Sequence, residues 1–305
     1  MSQKTLFVSI ANYKDSETLN TVQNLLDNSS GDLKIRICVY SQIDLEDNTF
    51  DPLDNMPNVT HIKVDFREAK GVCWARANCQ KYYNGEDYYL QIDSHIIFEK
   101  NWDRLLLEDH ERALHYGRKA ILTAYPCAYE FNPEGERFIP NKSPTRFHMN
   151  VVNIIPSAAA RFIDPSDVIE HEFFIAGGFL FTTGDFVVNV PYDEEIFFLG
   201  EEITLAIRAY TAGYFIFAPS KFICAHLYQV AQKDKRPVFW DRSEEKARKL
   251  SWSLRDQTSK IKVQHICRGQ WFGKYGVQDQ KLYLEYYSRL RAYDSRIDLQ
   301  KVILP

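Results

Sequence analysis

The chain has 305 residues, 45% of them hydrophobic and 26% charged, enough apolar side chains for a substantial core in one large α/β domain or two smaller ones. A formal charge of −4 gives no global electrostatic case for nucleic acid, and no nucleic-acid partner is expected. No run approaches the ~18 consecutive apolar residues of a membrane-spanning helix, so no transmembrane segment is expected.

Strand and helix patterns alternate from the start. TLFVSIA (5–11) is a short β-rich run, and SETLNTVQNLLDN after it carries Leu19, Val22, Leu25 and Leu26 at helical spacing. IRICVYSQ (35–42) and THIKVDF (60–66) read as strands, GVCWARANCQKYY (71–83) as a helix and DYYLQID (87–93) as a strand ending in a polar tip. NWDRLLLEDHERALHYG (101–117) is a helix that Gly117 is expected to close, and AILTAYP (120–126) is a further strand. Such alternation predicts a mostly parallel sheet flanked by helices, which binds ligands at the carboxyl ends of its strands.

Residues 127–170 contain Pro133, Pro140, Pro144, Pro156 and Pro165 and break the rhythm, so an irregular excursion on the acceptor side is expected there. Regularity returns with the strand-like EFFIAGGFLFTTGDF (172–186), the helix EEITLAIRAYTAG (201–213) and one strand over GYFIFAPSKFICAHLYQ (213–229). Residues 231–248 are strongly charged and predict a loop entering a helix, and 274–294 has a helical pattern. The expected organisation is a catalytic domain over 1–230, with 231–305 a charged loop and helical extension packed on it.

Cys38, Cys73, Cys79, Cys127, Cys224 and Cys267 show no C-x-x-C spacing, which argues against a disulfide framework or zinc knuckle; Cys38 and Cys224 lie in apolar runs and read as buried thiols. MSQKTLFVSIANYKDS lacks the pattern of a signal peptide, so a cytoplasmic protein with reduced thiols is expected. Aromatic residues make up 14% of the chain; they suit stacking on a nucleobase or sugar, although core packing accounts for most of them.

The sharpest chemical signal is QIDSH (91–95) at the end of an apolar strand. Residues two apart in extended chain project to one side, so Asp93 and His95 can aim at one point. A carboxylate with an imidazole suits a divalent ion such as Mn²⁺ or Mg²⁺ bridging a diphosphate; the plainer reading is a solvated turn. His226, ending a second apolar run, is either a ligand or a satisfied core histidine. Glu201 and Glu202 open a helix, where the macrodipole alone stabilises carboxylates by roughly 0.3–1 kcal/mol, or one of them contacts an acceptor hydroxyl. Arg76 is either a diphosphate contact or an exposed helix arginine. Gly177 and Gly178 interrupt a strand-like run, which calls for close approach by a sugar or acceptor, or for a β-bulge.

The run AKGVCWARANCQKYYNGEDYYLQIDSHIIFEKNWD (69–103) resembles the cytoplasmic polypeptide α-N-acetylglucosaminyltransferase family, whose best-known members modify hydroxyproline on a ubiquitin-ligase subunit. LFVSIANYKDSETLNTVQNLL, FLGEEITLAIRAYTAGYFIFAP and AHLYQ resemble further motifs of the same family. D-S-H with a later His is similar, more distantly, to the mucin-type polypeptide N-acetylgalactosaminyltransferases. The resemblance implies a GT-A fold, a UDP-sugar donor, Mn²⁺ and a retaining reaction, with Asp93, His95 and His226 as metal ligands. It puts Glu201 and Glu202 near the acceptor, and Ser9, Ala11, Tyr13, Asp15, Arg76, Gln91 and Ser94 on the nucleotide and diphosphate side. Gly177, Gly178 and Trp240 fall to the sugar or acceptor side, and 231–248, with Lys233, Lys235 and Arg236, is expected to form a lid. The acceptor is a protein hydroxyl or a glycan. The membrane anchor and lectin module of Golgi relatives are not expected.

Three alternatives stand beside this reading. An inverting transferase would use Glu202 as general base. A nucleotidyltransferase would share the acidic metal site, but no Gly-rich phosphate loop is present. A non-catalytic sugar-binding protein could keep the same fold.

Overall fold

The computed structural model describes residues 3–117, 119–150, 156–228 and 236–302. Its first part runs β1 (Lys4–Tyr13), α1 (Thr18–Asp27), β2 (Leu33–Ile43), β3 (Val59–Asp65), α2 (Val72–Gln80), β4 (Tyr88–Asp93), β5 (Ile96–Phe98), α3 (Trp102–Leu114) and β6 (Ala120–Thr123). The expected elements are present here within a few residues. Helix α3, however, ends before Gly117, with His115 as its C-cap. Gly117 is small for another reason: a Cβ there would lie 2.4 Å from the Phe215 ring.

The excursion is built of short pieces: β7 (Cys127–Ala128), the hairpin β8 (Glu130–Phe131) and β9 (Arg137–Phe138), and the antiparallel pair β10 (Thr145–Asn150) and β11 (Ser157–Phe162). Then follow β12 (Glu170–Glu172), β13 (Phe179–Thr183), α4 (Phe186–Asn189), α5 (Glu201–Thr211), β14 (Phe215–Ala218), β15 (Cys224–His226), α6 (Arg242–Ala247), α7 (Trp252–Cys267) and α8 (Gln280–Tyr293). The single strand expected over 213–229 is two strands in different sheets. Pro219 follows β14 directly and has no N–H to continue a ladder, and Ser220 turns away to bond Asp109 through both its amide and its hydroxyl, each at 2.7 Å. The run 172–186 likewise holds only β13 and the ends of its neighbours, because the chain turns at Gly177–Gly178 before the strand begins.

Eight strands form the main sheet in the order β12-β14-β6-β13-β4-β1-β2-β3. β1, β2, β3 and β4 pair in parallel, as do β6 and β14, whereas β13 runs antiparallel between β4 and β6. Alternation sorts the side chains: Leu6, Val8 and Ile10 join a core with α1 and α3, while Phe7 joins the core with α2, α5, α7 and α8 on the opposite face. A mostly parallel sheet covered on both faces is the architecture expected from the sequence. β5, β7 and β15 make a separate three-stranded sheet. All six cysteines are free and buried, and among the described residues no helix is long and apolar enough to cross a membrane.

Candidate active site

Asp93 is the last residue of β4, and His95 lies two residues on, directly before β5. β15 pairs antiparallel with β5 in a register that sets His226 opposite Ile96, and the Leu227 amide donates to the His95 carbonyl at 3.1 Å. Strand register thus brings together residues far apart in the chain. His95 Nε2 lies 3.0 Å from His226 Nε2, which lies 3.2 Å from Asp93 Oδ2. The three donor atoms fall within 4.8 Å of one another.

This donor set fits a divalent cation. His95 Nδ1 sits 2.6 Å from Asp15 Oδ2. Burial works to raise the Asp15 pKa, but His95, Arg236 and Ser94 outweigh it and hold the carboxyl below its usual range. A carboxylate only accepts, so the His95 proton sits on Nδ1 and the Nε2 lone pair faces His226 Nε2; this is the outer-layer arrangement typical of metal-binding histidines. Burial lowers the His226 pKa despite its bond to Asp93 and favours the neutral ring. Among the described residues, His226 Nδ1 has no hydrogen-bond partner. Burial would raise Asp93, but the bond from His226 and the charge of Arg76 hold it well below the usual carboxylate range.

Beneath Asp93 lies a buried ion network. Arg76, on α2, is 3% exposed; its Nη2 donates to Asp93 Oδ1 at 2.6 Å and its Nη1 to Glu201 Oε1. Burial opposes this charge, but Glu201, Tyr192 and Asp93 raise the arginine's pKa well above its ordinary value. Glu201 also accepts from the Tyr192 hydroxyl at 2.7 Å. Gln91 donates to that hydroxyl at 2.7 Å and to the Gly177 carbonyl at 2.6 Å.

Glu202 faces elsewhere. Its Oε1 accepts the Gly177 amide at 2.9 Å and its Oε2 accepts the Tyr125 hydroxyl. Burial, aided by the charge of Glu201, pushes its pKa up to about 7. Both glutamates start α5 behind Gly200, which holds φ +89° and packs where a Cβ would meet Val263 at 2.4 Å. At Gly178 the close approach is by Asp93 itself, whose Oδ2 would lie 2.4 Å from a Cβ.

Residues 52–288 match the family model described as Glycosyltransferase (GlcNAc). The chain belongs to this glycosyltransferase family. No curated protein matches it. The crystal structure of GalNAc-T7 with UDP, GalNAc and Mn²⁺ is 15% identical, with a TM-score of 0.61, and aligns over 97% of this chain and 53% of its own. The glycosyltransferase therefore spans about half the length of that chain, and the likeness is one of fold: the GT-A fold expected from the sequence. TarS 1–349 of S. aureus in complex with UDP-GlcNAc is 13% identical, covers 97% of this chain and 83% of its own, and has a TM-score of 0.44; it is too distant to bear on the site.

Two cavities of the glycosyltransferase meet at Asp93. The larger, about 770 Å³, is lined by Ala11, Tyr13, Asp15, Ser94 and His95 together with Phe197, Phe198 and Arg236–Trp240, among others. The smaller, about 350 Å³, is lined by Arg76, Tyr125, Gly177, Gly178, Glu201, Glu202, His226 and Tyr228, among others. Ser9 and Gln91 are fully buried and line neither cavity. Trp240 stands on the larger cavity, its ring 5.2 Å from that of Phe198.

Sequence reasoning missed Tyr125 and Tyr228. Tyr228 follows His226 by two residues, and its ring centre lies 4.1 Å from that of the imidazole; the alternation that linked Asp93 to His95 was the available signal. Tyr125 lies just beyond the end of β6, where strand ends deliver ligand-facing groups. From the charged segment, Arg236 reaches Asp15 Oδ2 at 3.3 Å. Glu244 accepts from the Tyr13 hydroxyl at 2.9 Å and from Lys14 at 3.0 Å. Lys233 and Lys235 lie outside the described residues.

Proposed function

We propose that this glycosyltransferase is divalent-metal-dependent and moves a sugar, GlcNAc first among candidates, from a UDP-sugar to an acceptor hydroxyl with retention of configuration. The observation that carries this reading is the convergence of Asp93, His95 and His226 where the two cavities meet. A UDP-sugar donor agrees with the family description and with the UDP and Mn²⁺ named for GalNAc-T7.

A bound cation, Mn²⁺ or Mg²⁺, would supply positive charge against the diphosphate leaving group. Asp93, His95 and His226 would hold it, and Asp15 keeps the His95 proton on Nδ1. Arg76, fixed by Glu201, keeps Asp93 ionised and one of its oxygens engaged, leaving Oδ2 toward the histidines. In the transfer, the anomeric bond to the diphosphate breaks and a bond to the acceptor oxygen forms on the same face. The departing phosphate oxygen takes the hydroxyl proton. Glu202, held by Tyr125 and Gly177, orients the acceptor hydroxyl. Residues 231–248, of which 236–248 are described, act as a lid over the donor, with Arg236 its cation near the diphosphate.

We further assign residues 1–230 to the catalytic domain and 231–305 to an extension packed on the same domain, a packing supported by the core that α7 and α8 share with α5. Six unpaired cysteines support a reducing, cytoplasmic setting. A protein acceptor of the hydroxyproline type rests on the resemblance of residues 69–103 and is tested with hydroxyproline-, Ser- and Thr-containing peptides.

The deciding experiment measures UDP release by the purified protein with Mn²⁺ across a panel of UDP-sugars. Turnover of UDP-GlcNAc that stops with chelator is the expected result; silence with every donor would favour the sugar-binding alternative. One observation favours a second reading, an inverting reaction: a Glu202 carboxyl poised at about 7 suits a general base. An α-linked product, with Glu202→Gln keeping transfer within about tenfold, supports retention. A β-linked product with a loss of about 10²–10⁴-fold supports the base.

A further inference from the structure

A chain of buried polar groups runs from the surface to the back of the metal site. Asp54 Oδ1 lies 2.7 Å from His61 Nδ1, and His61 Nε2 lies 2.9 Å from the Ser41 hydroxyl. Asn12 Nδ2 donates to Ser41 at 3.0 Å, and Asn12 Oδ1 accepts the Asp15 amide at 2.9 Å. Asp15 is the residue that holds the His95 proton.

The Asp–His–Ser order has the spacing of a nucleophilic relay, but Ser41 is fully buried and takes the Asn12 amide on its oxygen, so it meets no substrate. The directions of the bonds give the group a different role. An ionised Asp54 only accepts, so the His61 proton sits on Nδ1 and Nε2 accepts from Ser41. Ser41 then has lone pairs for Asn12, whose carbonyl oxygen is turned to the Asp15 amide. Every donor points toward Asp54, and each bond fixes the orientation of the next group. The loop needs such fixing: Lys14, between Asn12 and Asp15, holds a left-handed φ of +49° without being glycine. Strand register supplies the frame, with Asn12 on β1 opposite Ser41 on β2.

We infer that Asp54, His61, Ser41 and Asn12 are positioning residues, a one-way hydrogen-bond relay that sets the Tyr13–Asp15 loop so that Asp15 meets His95. This rests on the metal reading of Asp93, His95 and His226.

The control is built into the surface. Lys63 pairs with both Asp51 and Asp54, each at 2.6 Å, but only Asp54 also touches His61. Mn²⁺ affinity of the full chain, measured by electron paramagnetic resonance without donor or acceptor, should fall about fivefold in Asp54→Ala and about tenfold in Ser41→Ala. It should stay at the wild-type value in Asp51→Ala, and Ser41→Thr, which restores a hydroxyl, should recover most of the loss. Wild type that binds no Mn²⁺ overturns the metal reading and the relay with it. Wild-type binding with unchanged affinity in Asp54→Ala overturns the relay alone, as does equal weakening in Asp51→Ala and Asp54→Ala. Asp54 keeps 43% of its side-chain exposure, so its removal reads the relay even if Ser41→Ala fails to fold.

Discussion

The two cavities that meet at Asp93 are built in different ways. The Asp93–His95–His226 cluster, where the cavities meet, hangs on strand ends: β1 and β4 pair Ala11 with Asp93, and β5 and β15 pair Ile96 with His226. Its side chains are then fixed from behind by Asp15 and Arg76. The smaller cavity is walled by loop residues such as Tyr125, Gly177 and Tyr228, with the first turn of α5 supplying its carboxylates. Adjacent glutamates show the contrast at its narrowest, since Glu201 turns down into the ion network and Glu202 turns out to Tyr125. Hydrogen-bonded register holds the Asp93–His95–His226 cluster in one geometry, while loop-built walls are free to vary.

Asp93 is the residue both cavities share with the cluster, and its removal should have the largest effect. Asp93→Ala should abolish Mn²⁺-dependent UDP binding in titration calorimetry, because it takes away a ligand and leaves Arg76 and His226 without their common partner. Binding that survives would show that the trio is not the ion site. Next comes the division between the glutamates. Glu201→Gln deprives a buried guanidinium of a charge and should lower unfolding stability by about 3 kcal/mol, read by urea denaturation. A value within error of wild type would place Glu201 outside the network.

A pH series sharpens the other half. The Glu202 pKa is raised from 4.5 to about 7, so the folded protein keeps a proton that the unfolded chain releases. Its contribution is present at low pH and is lost as pH rises from about 4.5 through 7. Wild type should lose about 2–3 kcal/mol relative to Glu202→Gln between pH 4.5 and 7.5; parallel curves would refute the shift. The smallest effect is expected at the lid, where UDP with Mn²⁺ should slow proteolysis within 236–248. Cleavage that stays the same at saturating ligand would count against closure.

Strands with period-two patterning and a polar tip announced the convergence of Asp93 and His95, because the rule that orders the core also aims these two side chains at one point. His226 was ambiguous, since nothing local says that β15 lies beside β5. Helix α7 was hidden: it buries Ser259 and Lys262 while Leu254 and Ile261 stay exposed, so its apolar residues do not trace one face. The role of Gly177–Gly178 was half legible. A close approach was implied, but only the fold shows that Asp93 and Arg76 make it. Asn12 and Ser41 gave no signal at all, because polar residues inside strands look like interruptions until their register is known.

The antiparallel β13 has a consequence for how the molecule is made. On the ribosome β1 to β4 emerge early and can pair among themselves, yet β4 has one edge open until residues 179–183 arrive. β6 is worse placed, since both of its partners, β13 and β14, come later. Exposed strand edges invite pairing with other chains, and contacts between distant segments form slowly. A nascent chain stalled within the 127–170 excursion would present an open edge, with Asp93 and His95 still lacking His226. Co-translational chaperones should therefore hold this protein longest over that stretch, and ribosome-bound chains halted at residue 170 should crosslink to them more than chains halted at residue 230.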